Sequence, residues 1–299
     1  MALRSSAEEA AIRQDVFRWL DARYSENGGY ELSRKLLESY RFNGEPIKLL
    51  DTGRGIRNPA SFSSTLTIMT SAGRRNPYED SENADGWVTY HYQSSKGGDN
   101  VKLARAVENR DPIVYFKGVR PGFFVPFYPV VISHNDPIAR VVRFPLDQGL
   151  SFLGDPLHYS EEQRRYADGI VRTRLHQPIF RAQVLHAYAS SCTVCELKHS
   201  ELLDAAHIAP DADSEGVAHV SNGLAMCKIH HAAYDRSLMG ITPDYEVRID
   251  QELLDEIDGP MLRHGLQDMH GKRIVLPSSR AAYPDRDRLA KRFEMFASR

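Results

Sequence analysis

Three cysteines, Cys192, Cys195 and Cys227, are the only ones in the 299-residue chain, and all fall in the stretch CTVCELKHSELLDAAHIAPDADSEGVAHVSNGLAMCKIHHAAYD. Cys192 and Cys195 are separated by two residues, and Cys227 and His230 repeat that gap. A disulfide framework wants an even set spread over a chain. Two short clamps with sulfur and imidazole donors instead match the ligand spacing of tetrahedral zinc. The bland alternative is a set of reduced, buried cysteines beside an unrelated histidine. The repeated gap, with no cysteine elsewhere, favours zinc and requires two distant turns to meet around one ion.

Between the clamps, residues 201–208 (ELLDAAHI) have strand character, and Pro210 with residues 211–216 supplies a turn-rich loop. After Asn222-Gly223, the Ala, Met, Leu and Lys content of residues 224–234 predicts a helix. The expected order is strand, loop, helix. On such a helix Cys227 and His230 share a face, His231 is turned by about 100°, and Asp235 lies one turn after His231. His230 then closes the zinc site, while His231 and Asp235 point towards His207 and could hold a second, catalytic divalent cation. Asp204 is a candidate third ligand. It is three residues from His207, so strand alternation sends the two side chains to opposite faces unless the strand bends.

The pattern C-x2-C, D-A-A-H-I-x-P and N-G-L-x-x-C-x2-H-H-x3-D resembles the HNH (ββα-metal) endonuclease family in the version with zinc knuckles. The resemblance implies that His207 is the general base, that Asn222 orients it, and that His231 with Asp235 binds the metal at the scissile phosphate. Many HNH sequences have His or Asp directly before the base. Here that position is Ala206, which leaves Asp204 or Glu201 for the first metal ligand. The residue types suit the chemistry. An imidazole can deprotonate water near neutral pH, and a cation such as Mg2+ or Mn2+ neutralises charge growing on the phosphate.

Composition bounds the rest. The length suggests two domains, the hydrophobic fraction of 41% is that of a globular protein, and no apolar run is long enough to span a bilayer. Met1-Ala-Leu-Arg-Ser lacks the apolar stretch of a signal peptide, and metal-binding cysteines suit a reducing interior, so a cytoplasmic location without membrane association is expected. A net charge of −2 means that any phosphate-binding surface must come from local clustering. Arg164, Arg165, Arg172, Arg174 and Arg181, with Arg54, Arg57, Arg74 and Arg75, are the candidates, each of which read alone is ordinary solvated surface.

Residues 5–25, with Ser6 as cap, Glu9 three on and an apolar stripe of Ile12, Val16, Phe17 and Leu20, predict a helix, and residues 32–40 a second. Strands are expected at 66–68, 87–92, 113–116 and 128–132, interrupted by a helix at 101–107. Residues 147–159 are rich in breakers. Residues 161–188 read as helical with a break at Pro178, residues 247–249 as a strand, and residues 251–257 and 285–296 as helices. The expected class is α+β. Residues 1–147 form a β-rich DNA-reading domain with flanking helices, residues 148–175 a linker with a connecting helix, and residues 176–299 the zinc-supported nuclease domain.

The segment DGWVTYHY (85–92), with Asn100, Leu103 and PIVYF (112–116), resembles the SRA/PUA-like barrel that reads modified bases, joined to HNH domains in McrA-like modification-dependent restriction endonucleases. A flipped base needs aromatic stacking faces and polar groups for its edge. Asp85, Trp87, Tyr90, Tyr92, Asn100 and Tyr115 are the candidate pocket residues, although most aromatics here must be core. The resemblances together imply a restriction-type endonuclease that cuts double-stranded DNA containing modified cytosine by a one-metal mechanism. Cutting both strands with one metal site per chain would need two active sites, hence a homodimer or transient pairing. The alternatives are an HNH enzyme for unmodified DNA, whether sequence-specific, homing or toxin-like, and a non-catalytic zinc module that binds DNA.

Overall fold

A computed structural model of the chain describes residues 3–26, 31–51, 55–72, 81–82, 86–92, 98–153, 158–171, 176–209 and 219–298. The chain divides into two compact units, Met1–Pro178 and Ile179–Arg299. No described helix is long and apolar enough to cross a membrane.

The first unit opens with α1 (Ser6–Glu26), which buries Ile12, Val16, Phe17 and Leu20 along one face, as its 3.6-residue apolar spacing requires. The expected cap is displaced by one residue. Ser5 and Glu8 form the reciprocal box, in which the Ser5 amide donates to Glu8 Oε2 at 2.8 Å and the Glu8 amide to Ser5 Oγ at 3.3 Å. Glu9 is thereby free to be buried, where it accepts from the Ser63 amide and pairs with the buried Arg13 at 3.6 Å. Arg13 in turn donates to Ser64 Oγ at 2.6 Å, so the buried charges are held in one network with hydrogen-bond partners.

The chain continues as β1 (Leu32–Ser33), α2 (Arg34–Leu37), β2 (Arg41–Phe42), β3 (Glu45–Pro46), β4 (Ile56–Arg57), β5 (Thr67–Thr70), β6 (Ser81–Glu82) and β7 (Trp87–His91). It then forms α3 (Asp99–Glu108), β8 (Ile113–Arg120), β9 (Phe123–Val130), β10 (His134–Asp136), β11 (Val141–Pro145), α4 (Gln148–Ser151) and α5 (Glu161–Val171). The second helix expected at residues 32–40 shrinks to α2, because Leu32 and Ser33 pair with Phe124 and Phe123 of β9.

The described strands do not form the expected barrel. They part into a five-stranded sheet, β1-β9-β8-β5-β4, and a four-stranded sheet, β10-β11-β7-β6, whereas a barrel needs one ladder that closes on itself. Within the first sheet β5 and β8 run parallel, with β6 and β7 of the other sheet and α3 between them in the chain, and the remaining pairs are antiparallel. β8 is apolar on both faces because both are covered. Val114 and Phe116 pack in the cluster that includes Ile12, Val16 and Leu20 of α1, while Tyr115 meets Phe144 of β11 edge-on at 5.3 Å. The order of layers is helix, five-stranded sheet, four-stranded sheet. The segment after β11 belongs to this unit as well, where Leu150, Tyr159 and Ala167 form a small buried cluster.

The second unit contains α6 (Gln177–Ala187), β12 (Leu203–His207), β13 (Gly223–Cys227), α7 (Lys228–Asp235), β14 (Met239–Ile241), β15 (Val247–Ile249), α8 (Gln251–Asp255), α9 (Pro260–Gly265) and α10 (Arg286–Ala297). Pro178 lies in the first turn of α6, where its missing amide costs nothing, so it does not break this helix as the sequence suggests. The helix expected over residues 224–234 is also corrected. Gly223–Cys227 is a strand, antiparallel to β12 with Leu203 opposite Cys227 and His207 opposite Gly223, and the helix starts only at Lys228. All five residues of β13 are buried, so pairing and burial override the helix propensity of Leu, Ala and Met. The described order is strand, strand, helix. The β12–β13 hairpin, α6 and α7 share one core, to which Phe180, Val184, Leu203, Leu224, Met226 and Tyr234 contribute.

Candidate metal centre and active site

The first clamp sits on a tight turn. The Cys192 amide donates to Leu197 O, the Glu196 amide returns to Cys192 O, both at 2.9 Å, and Glu196 takes the left-handed conformation that closes the turn. The Thr193 amide bonds Ala225 O of β13 at 2.7 Å, which docks this turn beside the second clamp. Cys227 is the residue before α7, and His230 is one turn into it. The ligand atoms of Cys192, Cys195, Cys227 and His230 all lie within 4.8 Å of one another. His230 Nδ1 is 3.1 Å from Cys227 Sγ and 3.5 Å from Cys192 Sγ. Tetrahedral zinc with bonds of about 2.0–2.3 Å places neighbouring donors roughly 3.5–3.8 Å apart, so three sulfurs and one imidazole fit that ion.

Supporting bonds orient the donors. His230 Nε2 is 2.7 Å from Gly265 O, which directs a proton there and leaves Nδ1 for the metal, and the Cys227 amide points at Cys192 Sγ at 3.3 Å. Hydrogen bonds from Cys195 and Cys227 hold the Cys192 thiol well below the usual thiol range. Burial works against a charged His230, but the Cys192 and Cys227 sulfurs more than offset it and raise its pKa to about 10. Negative sulfur pressed on a buried imidazole is the tension that a divalent cation relieves.

His207 ends β12, half-buried, and its ring lies flat against Phe180 of α6. Asn222 is fully buried, and its side chain clamps the backbone beyond His207, accepting from the Ala209 amide at 2.9 Å and donating to Ala209 O at 3.1 Å. The Ile208 amide also donates to Asn222 O at 2.9 Å. Asn222 thus acts on the exit of the strand that carries His207.

Asp204, His231 and Asp235 come together as a chain. His231 Nδ1 is 3.7 Å from Asp204 Oδ2, and His231 Nε2 is 3.2 Å from Asp235 Oδ2. Alternation along β12 holds: Asp204 meets His231 and Arg181, while His207 meets Phe180. Asp204 lies on the same side of β12 as Ala206, two residues on, whereas Glu201 is exposed in the turn that precedes the strand. The nearby Asp204 carboxylate raises the His231 pKa against the effect of burial, and Asp235 adds to it. Burial tends to raise Asp204, and the neighbouring His231 with the charge of Arg181 outweighs it, so its pKa is lowered. Each ring nitrogen of His231 faces a different carboxylate. The three residues therefore do not converge on one point in this arrangement, and Cys192, Cys195, Cys227 and His230 are the one converging group of His, Cys, Asp and Glu ligands among the described residues. Two carboxylates beside an imidazole still offer oxygen donors of the kind that Mg2+ or Mn2+ takes.

Phe180, Gly223 and Arg292 are site residues that sequence reading passed over. Arg292 of α10 donates to Tyr234 O at 3.1 Å and stands 3.9 Å from Asp235 Oδ1, so it fastens the last turn of α7. Local pattern carries no signal for such long-range partners. Of the candidate phosphate arginines, Arg181 is engaged with Asp204 and the carbonyls of Ser200 and Leu203, Arg57 with Asp51 and Lys48 O, Arg164 with Tyr159 O and Arg165 with Glu161 O. Arg54, Arg74, Arg75, Arg172 and Arg174 lie outside the described residues, as do Pro210 and residues 211–216.

In the first unit, Tyr90, Tyr92 and Tyr115 are buried. Tyr115 bonds Thr70 at 3.1 Å and stacks on Phe127, and Tyr92 donates to Asn135 Oδ1 at 2.9 Å. Trp87 is half-buried on the opposite face of β7, its indole N–H 3.4 Å from Tyr159 Oη, and Asn100 is half-buried in the first turn of α3. Asp85 lies outside the described residues.

Residues 192–242 match the family model for HNH endonucleases, and this span holds all four ligands of the sulfur-imidazole cluster together with His207, Asn222, His231 and Asp235. No curated protein sequence matches the chain. Among solved structures, a modification-dependent TagI restriction endonuclease is similar over 82% of this chain and 86% of its own, at 17% identity and a TM-score of 0.30, a likeness too distant to support a reading of this chain.

Proposed function

We propose that the protein is a restriction-type DNA endonuclease whose second unit hydrolyses phosphodiester bonds and whose first unit reads modified cytosine. The observation that carries the nuclease reading is the HNH match over residues 192–242, falling on the β12–β13 strand pair and α7, whose cysteine-histidine cluster ties the two clamps together. His207, at the end of β12, takes a proton from the attacking water. Asn222 holds the backbone beyond it, so that the imidazole is presented in one place. Asp204, His231 and Asp235 would hold Mg2+ or Mn2+, which supplies neutralisation of charge on the phosphate and leaving oxygen. Zinc at Cys192, Cys195, Cys227 and His230 is structural, because all its positions are filled by protein.

The reading of modified bases rests on the resemblance of residues 85–116 to SRA/PUA-like domains and on the half-buried Trp87 and Asn100. Burial of Tyr90 and Tyr115 in the core favours a second reading, cleavage of unmodified DNA. Matched plasmids with and without cytosine modification, incubated with Mg2+ or Mn2+, separate the two. Cutting confined to modified plasmid supports the first, and equal cutting supports the second. His207→Ala should lower the rate by roughly 10²–10⁴-fold with zinc retained. Residual cutting near the wild-type rate would remove His207 as the base, and no cutting by the wild type under any divalent metal would leave only a zinc-stabilised binding module.

A further inference from the structure

His207 and Gly223 face each other across the end of the β12–β13 hairpin. Gly223 has φ −125° and ψ 145°, extended backbone that any residue adopts, so a demand for a special conformation does not account for a glycine there. Room does. A Cβ on Gly223 would stand 2.8 Å from Phe180 Cζ and would also run into Val184 Cγ2. Phe180, 2% exposed, uses that room to lie under the imidazole of His207, with ring centroids 4.0 Å apart and planes within 13° of parallel.

We infer that Phe180 is a positioning residue for His207, a flat aromatic floor seated in the space that Gly223 leaves open. The inference rests on the reading of His207 as the base. Imidazole donates and accepts in the plane of its ring, and its outer side-chain torsion is soft, so a ring free to turn aims its nitrogens away from the water for much of the time. A stacked neighbour removes that freedom, because tilting either ring loses face-to-face contact. An aliphatic side chain of similar bulk fills the same space without imposing a plane. Arg181, the next residue of α6, grips Asp204 and the carbonyl of Leu203 at the start of β12, so one helix turn holds both ends of the strand.

The test compares full-length wild type with Phe180→Leu, Phe180→Tyr and Gly223→Ala. The first readout is the NMR position of the His207 ring protons, which a stacked aromatic ring displaces upfield whether or not the protein cleaves anything. The second is kcat and KM for cleavage of duplex DNA with Mn2+, alongside zinc content. Phe180→Tyr should keep the displacement and the rate. Phe180→Leu should lose the displacement and drop kcat by roughly tenfold to a hundredfold, with KM and zinc unchanged. Gly223→Ala should follow Phe180→Leu. The inference is overturned if Phe180→Leu loses the displacement yet keeps wild-type kcat, if the displacement is absent from the wild type, or if Leu and Tyr variants lose rate and zinc together. A wild type that shows the displacement but cuts no DNA overturns the reading of His207 as base, and so is told apart from failure of the floor itself.

Discussion

The sulfur-imidazole cluster of the second unit and the aromatic strands of the first look equally eventful in sequence, but they fold to different ends. In the cluster, four residues from two distant clamps meet within 4.8 Å of one another, and three of them are buried. Among the aromatics, Tyr90, Tyr92 and Tyr115 turn into the core, and Trp87 leaves from the opposite face of its strand. The contrast teaches that ligand spacing is read more safely than aromatic content. Buried thiols and imidazole at such spacing have few uses other than a metal, whereas an aromatic ring in a strand is useful to packing wherever it falls.

Zinc removal is the strongest way to break the comparison. Apparent binding free energies of structural zinc reach about 10–16 kcal/mol, so Cys227→Ser or a chelator should strip the ion and melt the second unit while the first still unfolds as before. Acid should do the same, since the cysteines must be deprotonated to bind. Metal content and thermal unfolding followed separately for the two units check this, and a Cys227→Ser protein with full zinc and unchanged melting would end the assignment.

Two substitutions sharpen the aromatic side. Tyr115→Ala opens a hole between the two sheets and should cost about 3–5 kcal/mol of stability in denaturant titration, as large-to-small core changes do. Trp87→Ala should leave stability nearly intact and instead weaken binding to modified duplex by about 1–3 kcal/mol at matched salt, the worth of one stacked base. If Trp87→Ala unfolds the unit, or binds both duplexes as the wild type does, Trp87 belongs with the core. The smallest expected effect is that of Asp204→Asn, which should raise the Mn2+ concentration needed for half-maximal cleavage by about tenfold, the low end of what loss of a group near a metal costs. An unchanged requirement would show that Asp204 serves His231 and Arg181 alone.

How far the site could be read in advance differs residue by residue. Cys192, Cys195, Cys227 and His230 were legible because a two-residue gap sets the reach of a chelating turn whatever surrounds it. Separation of His230 from His231 was legible from the helical angle, and it holds, with His230 on the sulfurs and His231 on Asp204 and Asp235. The start of α7 was not, since Leu224, Ala225 and Met226 favour helix locally and become strand only by pairing with Ala206, Ala205 and Asp204. Ser6 and Glu9 satisfied the capping pattern as well as Ser5 and Glu8 do. The choice between them was made by Arg13 and Ser63, which draw Glu9 inwards.

By itself, then, the sequence determined the donor set, the helical faces that part the two histidines, and the apolar stripe of α1, because each depends on spacing along one element and on the chemistry of the side chains. Only the tertiary structure decided that the strands of the first unit form two stacked sheets, that Tyr115 is core, that Asn222 clamps Ala209, and that Phe180 lies under His207 in the room left by Gly223. Those outcomes depend on which elements pack together. Residues far apart in the chain meet there for reasons of volume and hydrogen bonding that no local pattern records.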